Sequence, residues 1–378
     1  MVFLLLASWV DPMHVDEIQP MSGALAQTID IQVDGPSEFG PQFAESISPI
    51  AESLVGSQNA LFDSIRWLGV LRSSLGHQPY LVRATRGGKL VGALPLAFVK
   101  SAFFGKFLVS LPYVNSAGVI AHEAKVGSEL MSSAATLADK LDVRYLELRS
   151  ELEIQHPVFN QKNDTKVLMR RVLPSTSEEL WDSFKSKLRS QIRAGQKNDF
   201  DVCFGGAELL DAFYSVFSQN MRDLGTPVYS RSLFASILRT FGDHAELCVL
   251  QLKRTPVAAA LLVHGQESTE VPSASSLRTH NASNANMVMY WHLLERAVKR
   301  GQKQFDFGRS TINSNTYKFK AQWGAAPQPS VWQYYLRRGT IGELRPDNSK
   351  FGMAIKVWQR LPVWLTRLIG PEIVRGIP

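Results

Sequence analysis

The feature that most constrains the fold of this chain is a diverged internal repeat. Leu71-Arg72-Ser73-Ser74-Leu75-Gly76-His77 leads into the apolar run Tyr80–Ala84, the polar turn Arg86-Gly87-Gly88-Lys89 and a second apolar run, Leu90–Leu96. Leu238-Arg239-Thr240-Phe241-Gly242-Asp243-His244 leads likewise into Glu246–Leu250, the turn Lys253-Arg254-Thr255-Pro256 and the run Val257–Val263. Each reads as a helix closed by glycine, where positive φ costs little. A strand, a turn short enough for an antiparallel hairpin and a second strand follow. A later landmark repeats too: Arg144–Ser150 corresponds to Gln304–Ser310. The offset is 166–167 residues at the first landmark and 160 at the second. A chain of 378 residues suits two domains of about 150 residues each. The expected boundaries are a first domain at 29–168, a second at 169–340 that carries the site, and a C-terminal tail at 341–378.

The second unit shows the expected order best. Ser175 and Glu178 are placed to form a capping box before a helix carrying Leu180, Trp181, Phe184, Leu188 and Ile192. A helix from Leu209 stops at Gly225, and Ser230 caps the next, with Leu233, Phe234, Ile237 and Phe241 on one face. After the hairpin come a strand near Pro272–Arg278, a helix with Met287, Tyr290, Trp291 and Leu294 closed at Gly301, and strands Lys303–Phe307 and Val331–Arg337 that finish the unit. This order predicts an α/β (α+β) protein of two tandem GNAT-like domains, each a mixed sheet flanked by helices.

Composition narrows the function classes. Net charge is +7, which favours polyanionic partners such as tRNA, nucleotide-linked substrates or lipid headgroups. Basic patches interleaved with aromatics are missing, so no DNA-binding domain is expected. No stretch reaches the roughly 20 apolar residues of a spanning helix. Val2–Trp9 is apolar but short and lacks a positive flank. Residues 1–28 read as a disordered extension and the protein as cytoplasmic, either free or at the inner face of the membrane. Cys203 and Cys248 form neither a disulfide framework nor a zinc spacing, and no metal site is expected.

Four segments together carry a resemblance: Leu188–Ala194, Met221–Val228, Phe305–Ser310 and Tyr317-Lys318-Phe319-Lys320-Ala321-Gln322-Trp323-Gly324. In order and spacing they resemble the FemAB-like family of the GNAT superfamily, nearest the branch associated with exosortase/PEP-CTERM and exopolysaccharide systems. The likeness spans about residues 45–340. It implies twin GNAT folds and acyl transfer to an amine of an envelope or polysaccharide precursor. The co-substrate would be an acyl-CoA or an aminoacyl-tRNA, with no tightly bound cofactor. The alternative is a non-catalytic GNAT-like binding or scaffold protein of a polysaccharide-synthesis system.

Acyl transfer needs a reactive donor, a deprotonated amine and stabilisation of a tetrahedral oxyanion. The resemblance assigns the last role to Lys320, with Phe319 and Trp323 excluding water around it and binding substrate. Asp306 and Arg309 end a strand beside Gly308, where Asp306 orients or deprotonates the amine and Arg309 binds an anionic group, or the two brace the loop as an ion pair. Lys185, Arg189, Arg193 and Lys197 recur every four residues, a stripe that grips phosphates or simply suits the end of a helix. Tyr229 follows a Gly-Thr-Pro-Val loop that walls the pocket or merely connects helices. Acetyl-CoA-using GNAT enzymes cradle pyrophosphate on a glycine-rich turn at a helix N-terminus. The corresponding stretch, Arg278-Thr279-His280-Asn281-Ala282-Ser283, lacks glycine, leaving Arg278 and Asn281 as candidate contacts, the latter able to take left-handed angles. His292 reads as a core histidine, and no Cys–His or Gly-x-Ser-x-Gly nucleophile is present, so direct transfer is expected. Met353–Ile369 patterns as an amphipathic helix kinked at Pro362, docked on the protein itself or resting peripherally on a membrane.

Overall fold

The computed structural model describes residues 28–40, 42–54, 57–340 and 352–377. The expected N-terminal extension lies outside them, save residue 28. In chain order the strands are β1 (Asp30–Asp34), β2 (Gln78–Arg86), β3 (Lys89–Ser101), β4 (Gly105–Val109), β5 (Ile120–Ala121), β6 (Tyr145–Ser150), β7 (Gln161–Asn163) and β8 (Lys166–Val172). They continue as β9 (Phe200–Gly205), β10 (Ala245–Leu252), β11 (Thr255–His264), β12 (Ser268–Ser276), β13 (Gln304–Thr311), β14 (Ala326–Gln328) and β15 (Val331–Leu336). The α-helices are α1 (Phe43–Ala51), α2 (Gln58–Leu75), α3 (Ala124–Lys140), α4 (Ser177–Asp182), α5 (Ser186–Gln196), α6 (Leu210–Leu224), α7 (Arg231–Phe241), α8 (Ala285–Lys299), α9 (Asn315–Gln322), α10 (Gly352–Trp358) and α11 (Val363–Val374).

Two mixed sheets result. One runs β1-β2-β3-β4-β6-β15-β7, with β5 added against β3; the other runs β9-β10-β11-β12-β13-β8-β14. The two orders correspond strand for strand. In each the parallel pair, β4–β6 or β12–β13, interrupts an otherwise antiparallel sheet. This correspondence includes a reciprocal exchange. β15, expected to finish the second unit, instead pairs with β6 in the first sheet, while β8 pairs with β13 in the second. The expected boundary at 168/169 therefore runs through β8. Alternation marks a segment as a strand and sets its buried face, but does not name the edge it joins.

The sheets share one core. Leu61, Leu68 and Leu71 of α2 belong to the same buried cluster as Phe213 of α6 and Phe234 and Ile237 of α7. The rings of Trp67 and Phe241 lie 5.1 Å apart, and the hydroxyls of Ser73 and Ser236 lie 2.8 Å apart. On the outer faces, α3 covers the first sheet, and α4, α5 and α8 cover the second.

Local signals held in most places. Gly76 and Gly225 close α2 and α6 at φ 70° and 78°, and Ser230 caps α7 by accepting from the Leu233 N–H at 3.2 Å. The expected helix over 180–192 is two helices, broken at Ser183–Lys185. Its cap lies one residue later than expected: Thr176 accepts from the Glu179 N–H at 3.1 Å, and Glu179 accepts from the Ser175 N–H at 3.1 Å. The third strand of the second unit begins at Ser268, earlier than expected. The tail is two helices with Pro362 at the head of α11. It docks on α6: Arg222 donates to the Leu361 carbonyl at 2.9 Å, and Arg367 donates to Ser218 Oγ at 2.8 Å.

Candidate active site

The site forms where β12 and β13 part. They pair only over Ser268–Gln304, Thr269–Phe305 and Glu270–Asp306. Beyond that rung β12 continues along β11 and β13 along β8. Two carboxylates thus face each other at the mouth of a splay. A bulge in β13 between Asp306 and Arg309 reinforces the opening. Gly308 adopts φ 75° there, and its N–H donates to Asp306 Oδ1 at 2.6 Å.

Around this rung lies a cleft of about 420 Å³ between the two units. Asp63 and Trp67 of α2, Val114 and Ser116 of the loop between β4 and β5, and Phe241 of α7 line one side; Glu151, Arg170, Glu270 and Asp306 line the other. Arg170 is the organising cation. It donates to Asp306 Oδ2 at 2.7 Å, to both oxygens of Glu151 at 2.6 Å, and to Gln328 Oε1 at 2.9 Å. Asn115, from the first unit, donates to Glu270 Oε1, and its own oxygen accepts from the Arg309 N–H at 3.4 Å. A Cβ on Gly308 would stand 2.9 Å from Asn115 Nδ2, so this close approach needs glycine as well as the positive φ.

Burial pushes the Glu270 carboxyl up to about 7, and the neighbouring Asp306 charge adds to the rise; the Asn115 hydrogen bond and Arg170 oppose it. Lys320, on α9, donates to the carbonyls of Gly308 at 3.1 Å and Arg309 at 3.0 Å. Desolvation brings its ammonium down to about 8, against the pull of Asp306 and Glu270. The site therefore holds an acid and an amine that both titrate near neutrality.

Of the expected residues, Asp306 lines the cleft; Lys320 does not line it but sits at the bulge beside it, where its charge feels Asp306 and Glu270. Arg309 brings its backbone, while its guanidinium lies 3.4 Å from the ring centre of Trp332 on the exchanged strand. Trp323 is fully buried, ringed by Phe184, Tyr290 and Phe319, so its indole is a core group and not a substrate contact. Phe319 is half-buried, edge-on to Tyr290 at 4.9 Å. Tyr229 does not line the cleft; it packs edge-on to Tyr113 at 5.4 Å in the core between the units. Arg189 pairs with Asp182 at 3.5 Å, and Arg193 lies over Trp181 at 5.3 Å. Arg278 and Asn281 are exposed on a short 3-10 turn. The left-handed position before α8 belongs to Asn284, at φ 55°, and not to Asn281. The end of α5 lies against this turn, with Asn198 donating to the Ser283 carbonyl at 3.1 Å.

Sequence reasoning missed Glu270, Arg170, Glu151 and Asn115. A signal existed for Glu270: it is an acid inside Thr269-Glu270-Val271, directly after a hairpin. Placing the strand from Pro272 hid it. Arg170 and Arg171 sit between the apolar runs Val167-Leu168-Met169 and Val172-Leu173, a signal of charge held within a strand. Glu151 and Asn115 sit outside the strands and carry no local signal.

Among the described residues no cluster of His, Cys, Asp or Glu is placed to hold a metal ion, and no helix is long and apolar enough to cross a membrane. Residues 182–320 match the Acetyltransferase (GNAT) domain family. Among solved structures the chain is similar to FemX, at 14% identity and a TM-score of 0.56, covering 72% of this chain and 91% of that one. It is also similar to the C-terminal domain of a putative lysylphosphatidylglycerol synthetase from Agrobacterium fabrum, at 12% identity and a TM-score of 0.49, covering 78% and 93%. A tandem GNAT protein from the clavulanic acid biosynthesis pathway gives 12% identity and a TM-score of 0.47, covering 81% and 98%. No curated protein matches the chain. The fold is a tandem GNAT fold, and residues 182–320, in the second unit, are similar to a GNAT domain.

Proposed function

We propose that this protein is an N-acyltransferase that works by direct transfer, with Glu270 as the base for the acceptor amine. The observation that carries the reading is the Glu270–Asp306 rung at the parting of β12 and β13, on the cleft between the units. A carboxylate titrating near neutrality suits proton removal from an amine. The amine nitrogen attacks the acyl carbonyl, an N–C bond forms, and its proton passes to the Glu270 carboxylate. The carbonyl electrons return as the bond to the thioester sulfur of an acyl-CoA, or to the ribose oxygen of an aminoacyl-tRNA, breaks, and Glu270 gives its proton to the leaving sulfur or oxygen. Asp306, fixed by Arg170 and the Gly308 N–H, orients the amine. Lys320 stabilises the oxyanion while charged, and Phe319 shields it from water.

Both donors carry phosphates, and one region suits them. The head of α8, with Arg278 and Asn281 exposed, lies against the end of α5, where Arg193 and Lys197 are exposed. The acceptor is an amine-bearing envelope or polysaccharide precursor, as in the exopolysaccharide-associated FemAB-like branch.

Turnover with acetyl-CoA and an amine panel, followed by product mass spectrometry, tests the enzyme reading, with charged tRNA as the second donor. Glu270→Gln should lower kcat by about 10²–10⁴, and Lys320→Ala by about 10² or more. A chain in which neither substitution changes transfer has its chemistry elsewhere. A chain that transfers from neither donor, yet supports polysaccharide synthesis equally well with both substitutions, is a scaffold.

A further inference from the structure

We propose that the tail helices α10 and α11 form a docking surface for an anionic lipid membrane. Each helix spends one face on the protein body. On α10, Ile355 packs against Gly225, and Gln359 donates to the Asp223 carbonyl at 3.2 Å. On α11, Thr366, Gly370 and Val374 are buried, with Gly370 set against Val228.

At about 100° per residue, positions two away from a docked residue point to the opposite side. On α10 and the first turns of α11 those positions are apolar, while Glu372 stands two away from both Gly370 and Val374. Met353 and Val357 flank Ile355, and Trp364 and Leu368 flank Thr366. Their exposures are 80%, 55%, 66% and 68%. Among the described residues nothing covers these apolar side chains on either helix.

Charge identifies the occupant. The described tail carries Lys356, Arg360, Arg367 and Arg375 against one carboxylate, Glu372. Arg367 is turned inward over the Tyr214 ring, and Arg375 pairs with Glu372 at 3.1 Å. Lys356 and Arg360 remain exposed beside Met353 and Val357. A second copy of the chain would bring the same cations together and be repelled. An anionic headgroup layer meets the cations while the acyl boundary takes Trp364, Leu368, Met353 and Val357. Trp364 suits that boundary, where an indole keeps one polar end wet. The face lies on the opposite side of the tail from α6, so the lipid layer leaves the fold undisturbed.

Co-flotation of the full chain with vesicles tests this. The chain should float with mixed phosphatidylglycerol–phosphatidylcholine vesicles, bind pure phosphatidylcholine weakly, and lose binding as salt rises. Trp364→Ser/Leu368→Ser should abolish flotation with circular dichroism unchanged, since both side chains are exposed. Lys356→Glu/Arg360→Glu should weaken binding to the anionic vesicles about tenfold or more, at roughly fivefold per lost cation before the added repulsion, and leave the weak neutral-vesicle binding unchanged. Three results would overturn the proposal: no flotation with anionic vesicles, equal flotation of Trp364→Ser/Leu368→Ser, or a lipid-free dimer that those two substitutions dissolve.

Discussion

At the residue scale the proposed mechanism turns on two groups with opposite protonation demands. As its base, Glu270 serves only once ionised, so kcat/KM should climb as pH rises through about 7. In the proposed mechanism Lys320 stabilises an oxyanion only while protonated, so activity should fall above about 8. A narrow bell is expected, and a flat profile across that interval would remove both roles. Asn115 acts through Glu270. Its amide bond favours the charged carboxylate, so Asn115→Ala should move the acid limb upward by about one pH unit, the worth of a charge-assisted hydrogen bond. An unmoved acid limb, or a loss of activity uniform across pH, would make Asn115 merely structural. About a third of this candidate site was legible beforehand. Asp306 and Lys320 stood in recognisable strings, whereas Asn115 and Arg170 reach the site from other parts of the chain. Trp323 misled because an aromatic beside a candidate lysine reads alike whether it faces substrate or core; only packing against Phe184 and Tyr290 decides.

At the element scale the two hairpins show what the repeat kept and what it lost. The β2–β3 turn uses Gly87 and Gly88 at φ 56° and 77°, residues suited to a two-residue turn with positive φ. The β10–β11 turn holds Lys253 and Arg254 at φ 51° and 64°, which side chains adopt at a cost. Lys253→Asn/Arg254→Gly should therefore stabilise the protein by about 1 kcal/mol, read as a higher denaturant midpoint at constant slope. A lower midpoint would mean that the two side chains make contacts worth more than the backbone strain. Helices and hairpins were readable because glycine closures, caps and apolar periodicity act within a few residues. The pairing of β15 was not, since a strand such as Val331-Trp332-Gln333-Tyr334 fits either sheet by pattern alone. The shifted cap at Thr176 has a local cause: Ser175 and Thr176 are adjacent hydroxyls, each followed three residues later by a glutamate.

At the scale of the whole molecule, the exchange of β8 and β15 makes the units interdependent. Each sheet takes a strand from beyond the other unit, and α2, α6 and α7 fill one core between them. Neither half can then bury its apolar faces alone. Trp332 concentrates this dependence: the guanidiniums of Arg149, from the first sheet, and Arg309, from the second, lie 4.1 Å and 3.4 Å from its ring centre. Those arginines occupy corresponding strands, β6 and β13, so the stacked group joins the repeat at equivalent points. Trp332→Leu should cost about 1–3 kcal/mol from the two cation–π contacts. If the units unfold together, amide exchange should quicken equally in β2–β3 and in β10–β11, although only the first sheet loses a side chain. Quickening confined to β2–β3 would mean that each sheet opens on its own. Equal quickening has a functional consequence, because the cleft is walled by α2 on one side and by β12 and β13 on the other. Its geometry, including the reach of Asn115 to Glu270, then persists only while both units are folded.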